Sequence, residues 1–246
     1  MIEKYRDISI INLGDQFITI ACDSCGGVGL LEDDIVKTDG FNVGYHTAFV
    51  SLAETLAIGA EPLIIADTLS VSLGEYGKSI VSGIRAAAKE AGLNPDTSIT
   101  GSSEENFTVK STGIGVTVIG RLVLADFRPS AVSDTYDVIV IGHPFVGDDV
   151  LKNKPKLLTL QTVRILKNNN SVFDIIPVGS KGILYESNQM AGTLGMQFNE
   201  ETSDPGMIRI SAGPATCAIA AVTPGTAKKI KTLVNIPVTQ IGTFIK

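Results

Sequence analysis

Two helix-forming runs, each closed by a glycine and set between apolar strand-like runs, constrain this chain more than any other feature. Residues 44–58 (GYHTAFVSLAETLAI) place Phe49, Leu52 and Leu56 beside an Ala-rich face and stop at Gly59. Residues 75–91 form the second run and stop at Gly92. Such small-residue helices pack closely on sheets. The runs at 8–14, 17–23, 61–73, 98–106 and 111–123 supply the strands. The spacing predicts a hairpin from the first two runs, then a loop over DSCGGVG (23–29), since glycine is costly inside regular structure.

The polar stretch 125–137, with Pro129, reads as a linker. Beyond it the pattern predicts strands at 137–142 and 172–179, helices at 157–168 and 181–192, two strands around Gly213 and Pro214, a helix in 226–235 and a last strand near 237–244. The expected fold class is mixed α/β (α+β) with two domains, 1–128 and 129–246. A length of 246 residues suffices for a buried apolar core. With 44% hydrophobic residues, 6% aromatics and no Trp, that core must be mostly aliphatic, which gives little support to base stacking.

Lys and Arg number 20 against 26 Asp and Glu, a formal net charge of -6. A negative field repels polyanions, so no nucleic-acid partner is expected, whereas a small phosphorylated ligand bridged by a cation remains compatible. No apolar run is long enough to cross a bilayer, so no membrane partner is expected. The odd cysteine count (Cys22, Cys25, Cys217) and the lack of a secretory leader predict reduced thiols and a cytoplasmic location. Cys22 and Cys25 have redox CxxC spacing, but the glycines that follow remove the helix that would lower a thiol pKa.

The acids Asp23, Asp39, Glu54, Asp67, Glu104 and Glu105 are candidates for a hard cation such as Mg²⁺, which prefers carboxylate and water oxygens and reaches protein through substrate phosphates. Asp67 stands out because a carboxylate inside an apolar strand requires a donor, a metal or exposure. The amides of DSCGGVG, including Gly26, Gly27 and Gly29, offer a concave anion nest, although neither a Walker A loop nor GxGxxG is present. His46, after TDGFNVGY, is placed to contact substrate or phosphate; a hydrogen-bonded residue near a helix start is the alternative. Lys181, beside Gly182 at a strand-to-helix junction, is placed to face phosphate, or else is a solvated lysine.

GYHTAFVSLAETLAIGAEP (44–62), KTDG (37–40), TGSSEEN (100–106) and ISAGPATCAIAAVTP (210–224) together resemble the PurM-like superfamily, which includes aminoimidazole ribonucleotide synthetase, thiamine-monophosphate kinase, HypE and selenophosphate synthetase. The resemblance implies an N-terminal domain that forms a β-barrel across a homodimer and a C-terminal α/β domain that closes a cleft over ATP and Mg²⁺. On that resemblance Asp23, Asp39 and Glu54 stand where the family has its N-terminal loop aspartate, its Thr-Asp acid and its helix aspartate, and with Glu104 of the 100–106 loop they are the expected metal ligands. The residues themselves suggest the other roles: Gly26, Gly27, Gly29, Gly101 and Ser102 join the acids around ATP, Gly44 and His46 meet the substrate, and Asp67 and Lys181 serve catalysis, although VGSKGI lacks the family's aspartate-containing pattern. The sequence departs from the family where Ser51 and Glu54 replace a helix Asn and Asp, and where Gly101-Ser102-Ser103-Glu104 replaces a Gly-Gly-Asp-Thr loop. CDSCGGVG, GAEP and TGSSEEN most resemble the α-ribazole kinase branch, which implies transfer of the ATP γ-phosphate to the 5′-hydroxyl of a small-molecule acceptor. A PurM-type synthetase and a non-catalytic nucleotide-binding assembly protein are the alternatives.

Overall fold

The computed structural model describes residues 2–123 and 133–246. Two compact units divide the chain, Met1–Thr55 with Ala60–Leu124 and Leu56–Gly59 with Ala125–Lys246. The expected boundary at 128/129 and most of the 125–137 linker lie outside the described residues.

In the first unit, β1 (Ile2–Tyr5), β2 (Ile8–Asn12) and β3 (Gln16–Gly26) are followed by a short parallel pair, β4 (Val28–Gly29) and β5 (Val36–Lys37). Then come α1 (Gly40–Ala57), β6 (Glu61–Leu69), α2 (Glu75–Glu90), β7 (Ile99–Ser103) and β8 (Gly113–Val123). Six of the strands make one sheet in the order β1-β2-β3-β8-β6-β7, antiparallel except for β6 with β7. Phe17, Thr19 and Ala21 are buried while Ile18 and Ile20 stay partly open, the period-2 pattern of a sheet covered on one face.

Helix α1 covers that face, and the Ser51 hydroxyl donates to the Val116 carbonyl of β8 at 3.2 Å. On its other side α1 meets α2 so closely that a Cβ on Gly44 would lie 1.9 Å from the Ile80 carbonyl oxygen, and one on Gly83 2.0 Å from that of Phe41. Buried between sheet and helix, α1 is apolar nearly all round, as its sequence shows. Its start is at Gly40 rather than 44, because Asp39 Oδ1 accepts from the Asn42 amide and caps the first turn.

The expected loop over 23–29 is also corrected. β3 runs on to Gly26, opposite a strand that is itself glycine-bearing: Ser24 pairs with Gly115 and Gly26 with Gly113. The chain turns only at Gly27, whose φ is +71°. β6 stops at Leu69 rather than 73.

The second unit carries β9 (Thr135–Gly142), α3 (Asp148–Lys152), α4 (Leu160–Lys167), β10 (Val172–Pro177), α5 (Ile183–Leu194), β11 (Gln197–Glu200), β12 (Cys217–Val222), α6 (Ala227–Lys231) and β13 (Val238–Ile245). Its sheet is antiparallel in the order β10-β12-β9-β13-β11. β12 is buried along its whole length and β9 beyond its first residue, which is why both read as unbroken apolar runs. Only one strand forms near Gly213 and Pro214. Residues Met207–Arg209 make a 3-10 turn, and Ala215 sits at φ 53°, outside strand geometry. α6 is shorter than expected, and α3 and β11 are too short to leave a periodic signal.

Candidate functional site

The sheet register builds the site. Asp23 on β3 and Asp67 on β6 both pair with Val116, and Asp67 pairs in turn with Gly101 on β7. Directly opposed residues project to the same face. Asp23, Val116 and Asp67 therefore form a row on the helix-covered face, with the two acids about 10 Å apart across two strand spacings. Ser51 reaches down from α1 to the middle of this row.

Asp67 is only 5% exposed. Among the described residues no side chain or amide donates to it, and burial raises its carboxyl pKa. The carboxylate occupies the space left by glycine at 101: a Cβ there would stand 2.5 Å from Oδ1 and 2.6 Å from Oδ2. Asp23 is more open, yet burial pushes its carboxyl up to about 6, opposed only by the Ser24 amide. Beside it lies Cys25, whose thiol is pushed up by burial and by the Asp23 charge, against a hydrogen bond with Thr47 of α1.

Two carboxylates on one face, with no cation of the described residues paired to either, are each a candidate for holding a proton or a positive ion. Their hard oxygen atoms suit Mg²⁺, which needs only one or two carboxylates when water and phosphate complete its shell.

Other predicted residues are placed elsewhere. Asp39 and Glu54 are at opposite ends of α1, about 22 Å apart at 1.5 Å per residue, so no single ion can take both. Glu104 Oε1 accepts from the amides of Asn106 and Phe107 and closes a turn. Among the described residues, no three His, Cys, Asp or Glu gather into a metal centre, so the four expected ligands do not form one. Gly44 is buried against α2, which explains its identity by packing rather than by substrate contact. His46 packs edge-on against Tyr45, 5.2 Å between ring centres. Lys181 donates to the Tyr185 hydroxyl at 3.1 Å and lies over its ring.

The glycine nest is also corrected: the Asp23–Gly26 backbone lies in the ladder with β8, and the Gly27 amide donates to the Thr112 carbonyl at 3.0 Å. Gly29 makes room instead for the Tyr76 hydroxyl, which a Cβ would meet at 2.0 Å. Gly101 and Ser102 lie on β7, paired with Asp67 and Thr68.

Cys22 and Cys25 are three residues apart in a strand and face opposite sides of the sheet, about 10 Å from each other. A disulfide needs Cα atoms within about 7 Å, so the redox alternative fails here; all three cysteines are free.

The sequence reading passed over Asp34, which is buried and accepts from the Thr112 amide and hydroxyl, the Leu31 amide and the Ser111 hydroxyl. Burial would raise its carboxyl, but these four bonds outweigh it and hold the pKa below the ordinary value.

The mixed α/β architecture is PurM-like. Residues 5–122 match the family described as AIR synthase related protein, N-terminal domain. No curated protein matches the chain. Among solved structures, thiamine-monophosphate kinase from Stenotrophomonas maltophilia is similar at 14% identity and TM-score 0.65, over 100% of this chain and 89% of that one. E. coli HypE, a hydrogenase maturation protein, is similar at 14% identity and TM-score 0.66, over 92% and 80%. T. maritima PurL complexed with AMPPCP is similar at 16% identity and TM-score 0.59 over 97% of this chain; the chain spans 37% of that protein's length.

Proposed function

We propose that this chain is a Mg²⁺-dependent, ATP-utilising phosphotransferase, with α-ribazole as acceptor and its 5′-hydroxyl as the group phosphorylated. The observation that carries this reading is the Asp23–Asp67 row, two same-face carboxylates with no cation among the described residues to neutralise them. The fold shared with thiamine-monophosphate kinase and with an AMPPCP-bound PurL supports ATP as the ligand.

Asp23, the more open acid, would hold Mg²⁺ bound to the triphosphate; the ion supplies charge neutralisation on the phosphate oxygens. Asp67 would accept the proton of the acceptor hydroxyl, and its raised pKa brings it nearer the operating pH of a general base. The acceptor oxygen forms its bond to the γ-phosphorus while the bond from that phosphorus to the ADP oxygen breaks. The proton passes to Asp67 and then to water. The open sheet face, with Ile18, Ile20, Ile64 and Ile119 partly exposed, would be covered by a second copy in a cytoplasmic homodimer.

The test is ATP consumption with Mg²⁺ in the presence of α-ribazole, thiamine monophosphate or aminoimidazole-pathway substrates, with mass spectrometry of the products. One phosphoryl group gained by α-ribazole supports the proposal. Loss of water through cyclisation supports a synthetase instead, and nucleotide binding without turnover of any candidate supports a non-catalytic assembly role.

A further inference from the structure

Asp34 is tied only to neutral donors, but it joins three segments at one end of the first sheet. Oδ1 accepts from the Thr112 amide at 2.7 Å and the Ser111 hydroxyl at 3.2 Å, while Oδ2 accepts from the Thr112 hydroxyl at 2.7 Å and the Leu31 amide at 2.8 Å. Thr112 passes these ties on in two directions. Its carbonyl accepts from the Gly27 amide at 3.0 Å, immediately beyond the end of β3, and its hydroxyl lies 2.8 Å from the Tyr76 hydroxyl of α2. Gly29 has no side chain to separate them: a Cβ would stand 2.0 Å from the Tyr76 oxygen and 2.7 Å from Asp34 Oδ2.

This end of the sheet needs an external tie. Between the Asp23–Val116 pair and the turn, the ladder continues through Ser24–Gly115, Cys25–Ile114 and Gly26–Gly113. Two of these three pairs contain glycine and so lack the cross-strand side-chain contact that normally steadies a sheet. The end of β3 that carries Asp23 is therefore held by backbone bonds, by the Cys25–Thr47 hydrogen bond to α1 and by the Gly27–Thr112 contact that Asp34 anchors.

We infer that Asp34 is a positioning residue for Asp23, acting through Thr112 to pin the end of β3 against β8. Its importance for activity rests on the role proposed above for Asp23; the pinning itself does not. Asp34→Asn keeps the shape but turns one acceptor into a donor that faces other donors, so the clamp opens while the rest of the sheet is untouched.

Heteronuclear NMR of the full chain at pH 8 tests this by two readouts, the exchange rate of the Gly27 amide and the carboxyl ¹³C resonance of Asp23. In Asp34→Asn, Gly27 is expected to exchange about tenfold faster or more. The Asp23 resonance should move, while that of Asp67 and the amides of β1 and β2 stay in place. A folded Asp34→Asn chain with Gly27 and Asp23 unchanged overturns the inference, because a purely structural acid would lower the melting temperature without moving either signal. If Asp34→Asn fails to fold, Thr112→Val removes one hydroxyl and keeps the amide and carbonyl; a smaller shift in the same two signals is then expected, and no shift overturns the inference. Wild-type protein that binds no Mg·ATP would defeat the role assigned to Asp23 and leave the two NMR signals to decide the clamp.

Discussion

Asp67 joins near-complete burial to the lack of any donor among the described residues, so its ionised form is disfavoured until a cation or a proton reaches it. Asp67→Asn removes the charge at nearly constant volume. It should raise the stability of the ligand-free protein at pH 8 by about 1 kcal/mol, visible as about 2–4 °C in the melting temperature, while lowering Mg·ATP turnover by about tenfold or more. Asp23 gives a pH signature. Its carboxyl has a pKa of about 6 in the folded chain against an ordinary 3.8, so the native protein holds the proton more tightly than the unfolded chain does. From pH 4 to about 6, stability should therefore fall as pH rises, and Mg²⁺ added at pH 8 should recover part of the loss by binding the ionised form. Melting temperatures from pH 4 to pH 8, with chelator and with Mg²⁺, check both statements. Asp23 and Asp67 were legible in the sequence because each is an acid in or beside an apolar strand. Asp34 was not, since its donors lie at Leu31 and at the distant Ser111–Thr112, and the pairing exists only once β8 closes on β3.

At the scale of elements, α1 is confined between a sheet and a second helix, and Gly44 marks the closest approach. Gly44→Ala puts a methyl group 1.9 Å from the Ile80 carbonyl oxygen, a backbone atom that cannot rotate away. It should destabilise the chain by about 3 kcal/mol, at the upper end of ordinary overpacking, as measured by urea denaturation. Gly101→Ala meets a side-chain carboxylate instead, so Asp67 yields and the fold survives; activity should fall further than stability. Strand geometry at Cys22 and Cys25 predicts that a thiol oxidant forms no bond between them, which peptide mapping by mass spectrometry would show. The helices and main strands were readable because their periodic patterns run through most of their length. The passage of β3 through Ser24–Gly26 was not: a glycine run signals a loop unless the opposing strand is glycine-bearing too, and that partner is some ninety residues away.

For the molecule as a whole, the open face of the first sheet is where the proposed homodimer would form. Ile18, Ile20, Ile64 and Ile119 are left partly exposed there, and the proposed second copy would bury them. Sedimentation equilibrium should give twice the chain mass, and Ile20→Lys should return the monomer. The family resemblance pointed correctly to a PurM-like architecture, since it rested on long ordered segments. Asp39 and Glu54 occupy opposite ends of one helix, so the four acids that the resemblance singles out cannot all serve one ion.

The central claim, that the Asp23–Asp67 row receives Mg²⁺ with ATP, is tested most directly by calorimetric titration of Mg·AMPPCP into the wild type, Asp23→Asn and Asp67→Asn. Binding by the wild type that weakens about tenfold or more in Asp23→Asn and changes little in Asp67→Asn, whose role is in proton transfer, is the predicted result. Equal affinity in all three folded proteins, or none in the wild type, would contradict it.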